Sequence, residues 1–129
     1  MNPDDIKYHR EHAWVRVEGK NATIGITDMA QQQLGDIVYV DLPERDTEVD
    51  ADSELCEIES TKATSPVISP VSGKVLEVNE DLGDSPEIIN EDPYGNGWIV
   101  VIAMSDPSEV NDLMTRDEYE KFLKEEEER

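Results

Sequence analysis

Gly35-Asp36-Ile37-Val38-Tyr39-Val40 returns 38 residues later as Gly73-Lys74-Val75-Leu76-Glu77-Val78. Each copy is a β-rich run behind a glycine. Each is followed by a polar loop holding an Asp-Thr or Asp-Ser pair, Asp46-Thr47 and Asp84-Ser85, and then by another strand-like run, residues 55–59 and 98–104. A repeat at a fixed offset marks two similar supersecondary units. It predicts a mainly β chain folded as two quasi-symmetric halves, a flattened barrel or sandwich. Ile37-Val38-Tyr39-Val40 is apolar on both faces and is expected to be buried.

Between the two copies lies Glu57-Ile58-Glu59-Ser60-Thr61-Lys62-Ala63-Thr64. Glu57 and Glu59 alternate with Cys56 and Ile58, as in a half-buried strand. Val67 and Ile68 sit between Pro66 and Pro70, which suits an edge strand. The pair predicts a hairpin with Lys62 at its tip. Taken alone, Lys62 reads as a solvated surface lysine. A hairpin joining two similar halves stands at one end of the molecule, however, and that makes its lysine a candidate attachment point.

Outward from this joint, Trp14-Val15-Arg16-Val17 and Ala22-Thr23-Ile24-Gly25-Ile26 predict a hairpin across the turn Glu18-Gly19-Lys20-Asn21. Thr27 is an N-cap for a short helix over 28–34, and Gly35 stops it. Ser85-Pro86-Glu87-Ile88-Ile89-Asn90 predicts a single helical turn. Asp106-Pro107 with Glu109, and Thr115 with Glu118, are two helix starts. Tyr119, Phe122 and Leu123 give the last helix an apolar side, and residues 125–128 are a solvated acidic end. One domain over 1–129 is expected, with a core over about 6–104 and a C-terminal helical extension over 106–125.

The 129 residues carry a net charge of −21, with 36% hydrophobic and 33% charged side chains. Such a surface repels phosphate backbones and anionic headgroups, which argues against nucleic acid and membrane partners. It favours partners with basic faces. No apolar stretch has the length of a membrane span. Met1-Asn2-Pro3-Asp4-Asp5 lacks the marks of a signal or transit peptide, so an unprocessed cytoplasmic protein is expected. Cys56 is the one cysteine and reads as a small buried hydrophobe.

Catalytic sets are missing from the pattern. His9 and His12 have no nucleophile or further ligands beside them and read as surface or strand histidines. Asp50, Asp52 and Glu54 imitate the start of a calcium loop, but Leu55 stands where that loop needs glycine. No catalytic and no metal-binding residue is assigned. What is left is a scaffold offering one lysine. A carrier needs little more than a reachable, recognisable lysine, because the attached group brings the chemistry.

Several long motifs, in order, place the chain close to a known family. They include Ala22-Thr23-Ile24-Gly25-Ile26-Thr27-Asp28, Gln33-Leu34-Gly35-Asp36-Ile37-Val38-Tyr39-Val40, Glu59-Ser60 with Lys62-Ala63, Ser69-Pro70-Val71-Ser72-Gly73, and Asn90-Glu91-Asp92-Pro93-Tyr94-Gly95. Over nearly its whole length the sequence resembles the H protein of the glycine cleavage system. The resemblance implies a lipoyl/biotinyl-type fold, a barrel-sandwich hybrid with C-terminal helices. It implies lipoate on Lys62 as N6-lipoyllysine, with Glu57, Glu59, Ser60, Thr61 and Ala63 as flanking recognition residues. It also implies a monomeric, non-catalytic shuttle. The arm takes an aminomethyl group from glycine at the pyridoxal-phosphate-dependent P protein and presents it to the tetrahydrofolate-dependent T protein. The dihydrolipoyl dehydrogenase, or L protein, then reoxidises it, and a lipoate ligase or lipoyl transferase installs it.

Three departures stand out. Thr61 replaces the Val of the usual Glu-Ser-Val-Lys-Ala. Ala13 replaces the Glu of His-Glu-Trp-Val, a residue that in the family lies where the loaded arm folds back. Thr64-Ser65-Pro66 replaces a stretch that usually has Asp after the Ser. The rivals are other carriers and an H-like paralogue for lipoate relay or redox signalling. Biotin domains flank their lysine with Met, and lipoyl domains of 2-oxo acid dehydrogenases usually read Asp-Lys-Ala. An unmodified acidic interaction module would leave Lys62 an ordinary surface residue.

Overall fold

The computed structural model describes residues 6–127. The expectations for Met1–Asp5 and for Glu128 lie outside the described residues. The strands are β1 (Lys7–Tyr8), β2 (Ala13–Glu18), β3 (Asn21–Ile26), β4 (Ile37–Asp41), β5 (Glu48–Val49), β6 (Glu54–Ser60), β7 (Thr64–Ile68), β8 (Gly73–Val78) and β9 (Val100–Met104). The helices are α1 (Asp28–Leu34), α2 (Asp81–Asp84), α3 (Ile88–Glu91) and α4 (Arg116–Glu127), with a 3-10 helix at Pro107–Asp112. All strand pairs are antiparallel. One sheet runs β1-β2-β3-β9-β8-β5 and the other β4-β6-β7.

The internal repeat has a structural counterpart. β4 pairs with β6, and β8 pairs with β9. A bulge interrupts the first pair between Ile37 and Tyr39, and the second between Val75 and Glu77, the same positions of the repeated motif. The two halves therefore share an antiparallel strand pair and the place where its ladder breaks.

That bulge corrects one expectation. Ile37 and Val40 are buried, but Val38 and Tyr39 are 54% and 50% exposed, and Leu76, the repeat partner of Val38, is 40% exposed. β4 is an edge strand, and a bulge adds a residue that breaks the in-out alternation. Apolar composition alone could not reveal either.

The core lies between the sheets and includes Val15, Ile24, Ile58, Val67, Val75 and Ile102. Cys56 belongs to it, and burial pushes its thiol pKa up to about 12. A second cluster, Ile6, Tyr8, Trp14 and Tyr119, joins α4 to the larger sheet. Trp14 stands opposite Gly25, and a Cβ at Gly25 would come within 2.7 Å of the indole. The glycine lets the ring lie flat across β3.

Other readings are refined. α2 was not anticipated; α3 supplies the expected turn. Asp106 caps Ser108, yet Glu109 does not close a capping box. Its carboxylate accepts from Ser72 N–H (2.8 Å) and Oγ (2.9 Å), tying the 3-10 helix to the sheet. Thr115 and Glu118 do close one, at 2.9 and 3.3 Å. The histidines are not surface residues. His9 is buried with Nε2 2.5 Å from Asp52 Oδ1, and His12 is half-buried against α4. Asp52 is thus engaged in a hydrogen bond with His9.

Candidate functional site at the β6–β7 tip

The tip is Ser60-Thr61-Lys62-Ala63. Ser60 N–H donates to Ala63 O at 2.8 Å, and its hydroxyl accepts from the N–H groups of Lys62 (3.2 Å) and Ala63 (3.0 Å). Thr61 N–H donates to Asp36 O at 3.0 Å. Every backbone donor from Ser60 to Ala63 therefore has a partner, and the loop has little freedom to rearrange. Thr61 acts here through its backbone, so its exchange for the usual Val leaves this tie intact.

Lys62 is exposed, and among the described residues its ammonium has no ion-pair partner. Its aliphatic stem crosses Gly35, the residue that ends α1. Gly35 has φ +81°, and a Cβ there would stand 3.2 Å from Lys62 Cε and 3.5 Å from Cδ. Glycine serves twice, as a left-handed helix stop and as space for the lysine.

Asn90 braces this turn. Its amide donates to Gly35 O (2.8 Å) and Gln31 Oε1 (2.9 Å), and its Oδ1 accepts from Ile37 N–H (2.9 Å). Nearby, Tyr94 Oη accepts from Asp28 N–H at 3.0 Å, and Trp14 Nε1 donates to Pro93 O at 2.9 Å. The Asn90-to-Tyr94 loop thus locks α1, β2 and the Gly35 turn together. Asn90 and Tyr94 carry no local signature of this role; their one trace in the sequence is the motif Asn90-Glu91-Asp92-Pro93-Tyr94-Gly95.

Beside the tip opens a cleft of about 320 Å³. Ala63, Thr64 and Val67 line it from the hairpin, Ala30 and Leu34 from α1, and Glu11, His12 and Ala13 from the turn into β2. Ala13 presents a methyl group where a longer side chain would project. Burial lowers the pKa of His12 below its ordinary value, against the opposing pull of Glu126 and Glu11. Glu57 and Glu59 stand outside the cleft, exposed to solvent, opposite Asp41 and Tyr39 of β4. The predicted flanking residues therefore divide. Ser60 and Thr61 shape the tip, Ala63 lines the cleft, and the two glutamates face away.

The exposed lysine at the tip and the cleft beside it thus adjoin through Ala63. A family model described as glycine cleavage H-protein matches residues 6–126. The chain belongs to this family. It is 61% identical over 121 residues to glycine cleavage system H protein 4 of Aquifex aeolicus, covering 94% of this chain and 71% of that one. It is 50% identical over 123 residues to the H protein of Bacillus subtilis, covering 95% and 97%. The crystal structure of an H protein from Mycobacterium marinum superposes with a TM-score of 0.88 at 36% identity, covering 95% of this chain and 99% of that one. The fold is the lipoyl type, and the chain is a lipoyl-carrier component of the glycine cleavage system. No helix among the described residues is long and apolar enough to cross a membrane.

Proposed function

We propose that Lys62 Nζ bears lipoate as an amide and that the arm rests in the cleft beside the hairpin. The observation that carries this is the Gly35–Lys62 contact. The lysine stem already runs over Gly35, a position without a Cβ, and Ala63, its neighbour at the tip, lines the cleft. When bound, lipoate supplies a disulfide that opens to accept the aminomethyl group left by glycine decarboxylation. The chain's own residues do the rest. Ser60 and Asp36 hold the tip rigid, Gly35 and Asn90 set the direction of the lysine, and the cleft walls keep water from the cargo. Turnover belongs to the partners. These are the P protein, the T protein and the L protein, with a lipoate ligase or lipoyl transferase to install the arm.

The flanking residues suit that installation. Glu57 and Glu59 lead to the tip on one exposed face, a surface for a modifying enzyme with a basic groove. A single cytoplasmic, monomeric unit over 1–129 with no catalytic residue of its own completes the reading.

Intact mass after incubation with lipoate ligase, ATP and lipoate tests it. Wild type should gain one lipoyl amide and Lys62→Ala none. Gain in both would move the attachment elsewhere, and gain in neither would remove the carrier reading. Modified protein should then support glycine decarboxylation by P protein. Modification without that support would select the rival that Ala13 raises, a paralogue in lipoate relay or redox signalling.

A further inference from the structure

The C-terminal helix reaches the cleft through one phenol. Tyr119 is fully buried, its ring stacked on Tyr8 at 4.6 Å and 6° between planes. Its hydroxyl lies 2.8 Å from Thr27 Oγ1 and 2.9 Å from His12 Nδ1. Thr27 caps α1, and His12 forms part of the opposite cleft wall. The other ring nitrogen of His12 is 3.5 Å from Glu126 Oε1, one further contact with α4.

Thr27 Oγ1 accepts from Ala30 N–H and shares a hydrogen bond with Tyr119 Oη. The same phenol oxygen bonds His12 Nδ1, and His12 Nε2 faces Glu126 Oε1. Burial raises the pKa of the phenol, so it keeps its proton. The imidazole is thereby held at both ring nitrogens, on a residue whose backbone is left-handed at φ 68°.

We propose that Tyr119 is a positioning residue of the carrier site: its hydroxyl locks the His12 imidazole into the cleft wall, and so sets the cleft that receives the arm. The C-terminal helix is then part of the site. This rests on the reading that the arm lies in the cleft.

The test compares wild type, Tyr119→Phe, His12→Asn and the double variant, with Ala30→Trp as a blocked cleft. Phe keeps the stack on Tyr8, and Asn tolerates the left-handed backbone. Ring ¹⁵N shifts of His12 in unmodified protein report the tautomer. Loss of the aminomethyl cargo, followed by formaldehyde trapping, reports the cleft. Tyr119→Phe should accept lipoate fully, shift the His12 ring ¹⁵N resonances away from their wild-type tautomer pattern, and lose cargo about three- to tenfold faster, the range one hydrogen bond commands. The double variant should add nothing to either single change.

Wild-type cargo loss in Tyr119→Phe, with accelerated loss in Ala30→Trp, would overturn the positioning role and leave the cleft reading standing. Wild-type loss in Ala30→Trp would remove the cleft as the seat of the arm, and this role with it. Should Tyr119→Phe fail to fold, His12→Asn decides by the same two outcomes.

Discussion

Ala13 and His12 adjoin in the cleft wall, and each carries a consequence. Ala13 is 1% exposed, so a Glu there would bring a carboxylate into a partly dry site. In an empty cleft that costs desolvation; beside a cationic aminomethyl group it gains a charge-assisted hydrogen bond. Ala13→Glu should therefore lower the melting temperature of the unmodified protein and slow cargo loss from the modified one. Equal rates of loss in the two proteins would show that residue 13 does not touch the cargo. His12 adds a pH dependence. Burial holds its folded pKa below the ordinary 6.5, so between those two values the unfolded chain binds a proton that the folded chain refuses. The associated stability is complete above 6.5 and is lost as pH falls through the folded value. The melting temperature of wild type should fall more steeply than that of His12→Asn as pH drops from about 7 to 5. Parallel curves would mean that His12 titrates as it does in the unfolded chain.

Among the elements, those built on local chemistry were legible and those built on pairing were not. Thr27 and Gly35 bound α1 as expected, because a cap and a left-handed stop are written in one or two residues. The β2–β3 hairpin follows from turn residues between alternating runs, and the Lys62 tip from the strand-like runs on either side of it. The bulges at Val38 and Leu76 were not legible, since a bulge is a relation between two strands and leaves no mark on either alone. The burial of His9 is equally illegible, since its partner Asp52 lies 43 residues away. At the site, Lys62 stood out from its place between the repeats, whereas Asn90 and Tyr119 act through contacts with distant elements. The second capping box is a local feature with a measurable worth. Thr115→Ala removes the hydroxyl that accepts from Glu118 N–H and should cost about 1 kcal/mol, seen as a lower urea midpoint with unchanged slope. A neutral result would mean that the Tyr119 contacts alone hold α4.

The whole molecule carries a charge of −21, and its few cationic pairs are mostly on the surface, such as Arg45–Glu80 at 3.7 Å and Arg116–Glu120 at 3.6 Å. Self-repulsion on that scale opposes folding, and the sheet adds to it by setting Asp41 directly across from Glu57. Like charges facing one another on an exposed face of the sheet that carries the tip make sense if a basic partner neutralises them on docking. Stability and recognition should then respond oppositely to the same change. Glu57→Gln should gain about 0.2–1 kcal/mol of stability by relieving the pair, yet take up lipoate more slowly. Raising sodium chloride from about 0.05 to 0.5 M should do the same to wild type, raising the melting temperature while slowing modification, because the screening length falls through the spacing of these charges. If Glu57→Gln is modified at the wild-type rate, and salt slows both proteins equally, the glutamate is only a solvated strand residue. Recognition would then rest on the tip's shape, which Ser60 and Asp36 define without any net charge at Glu57.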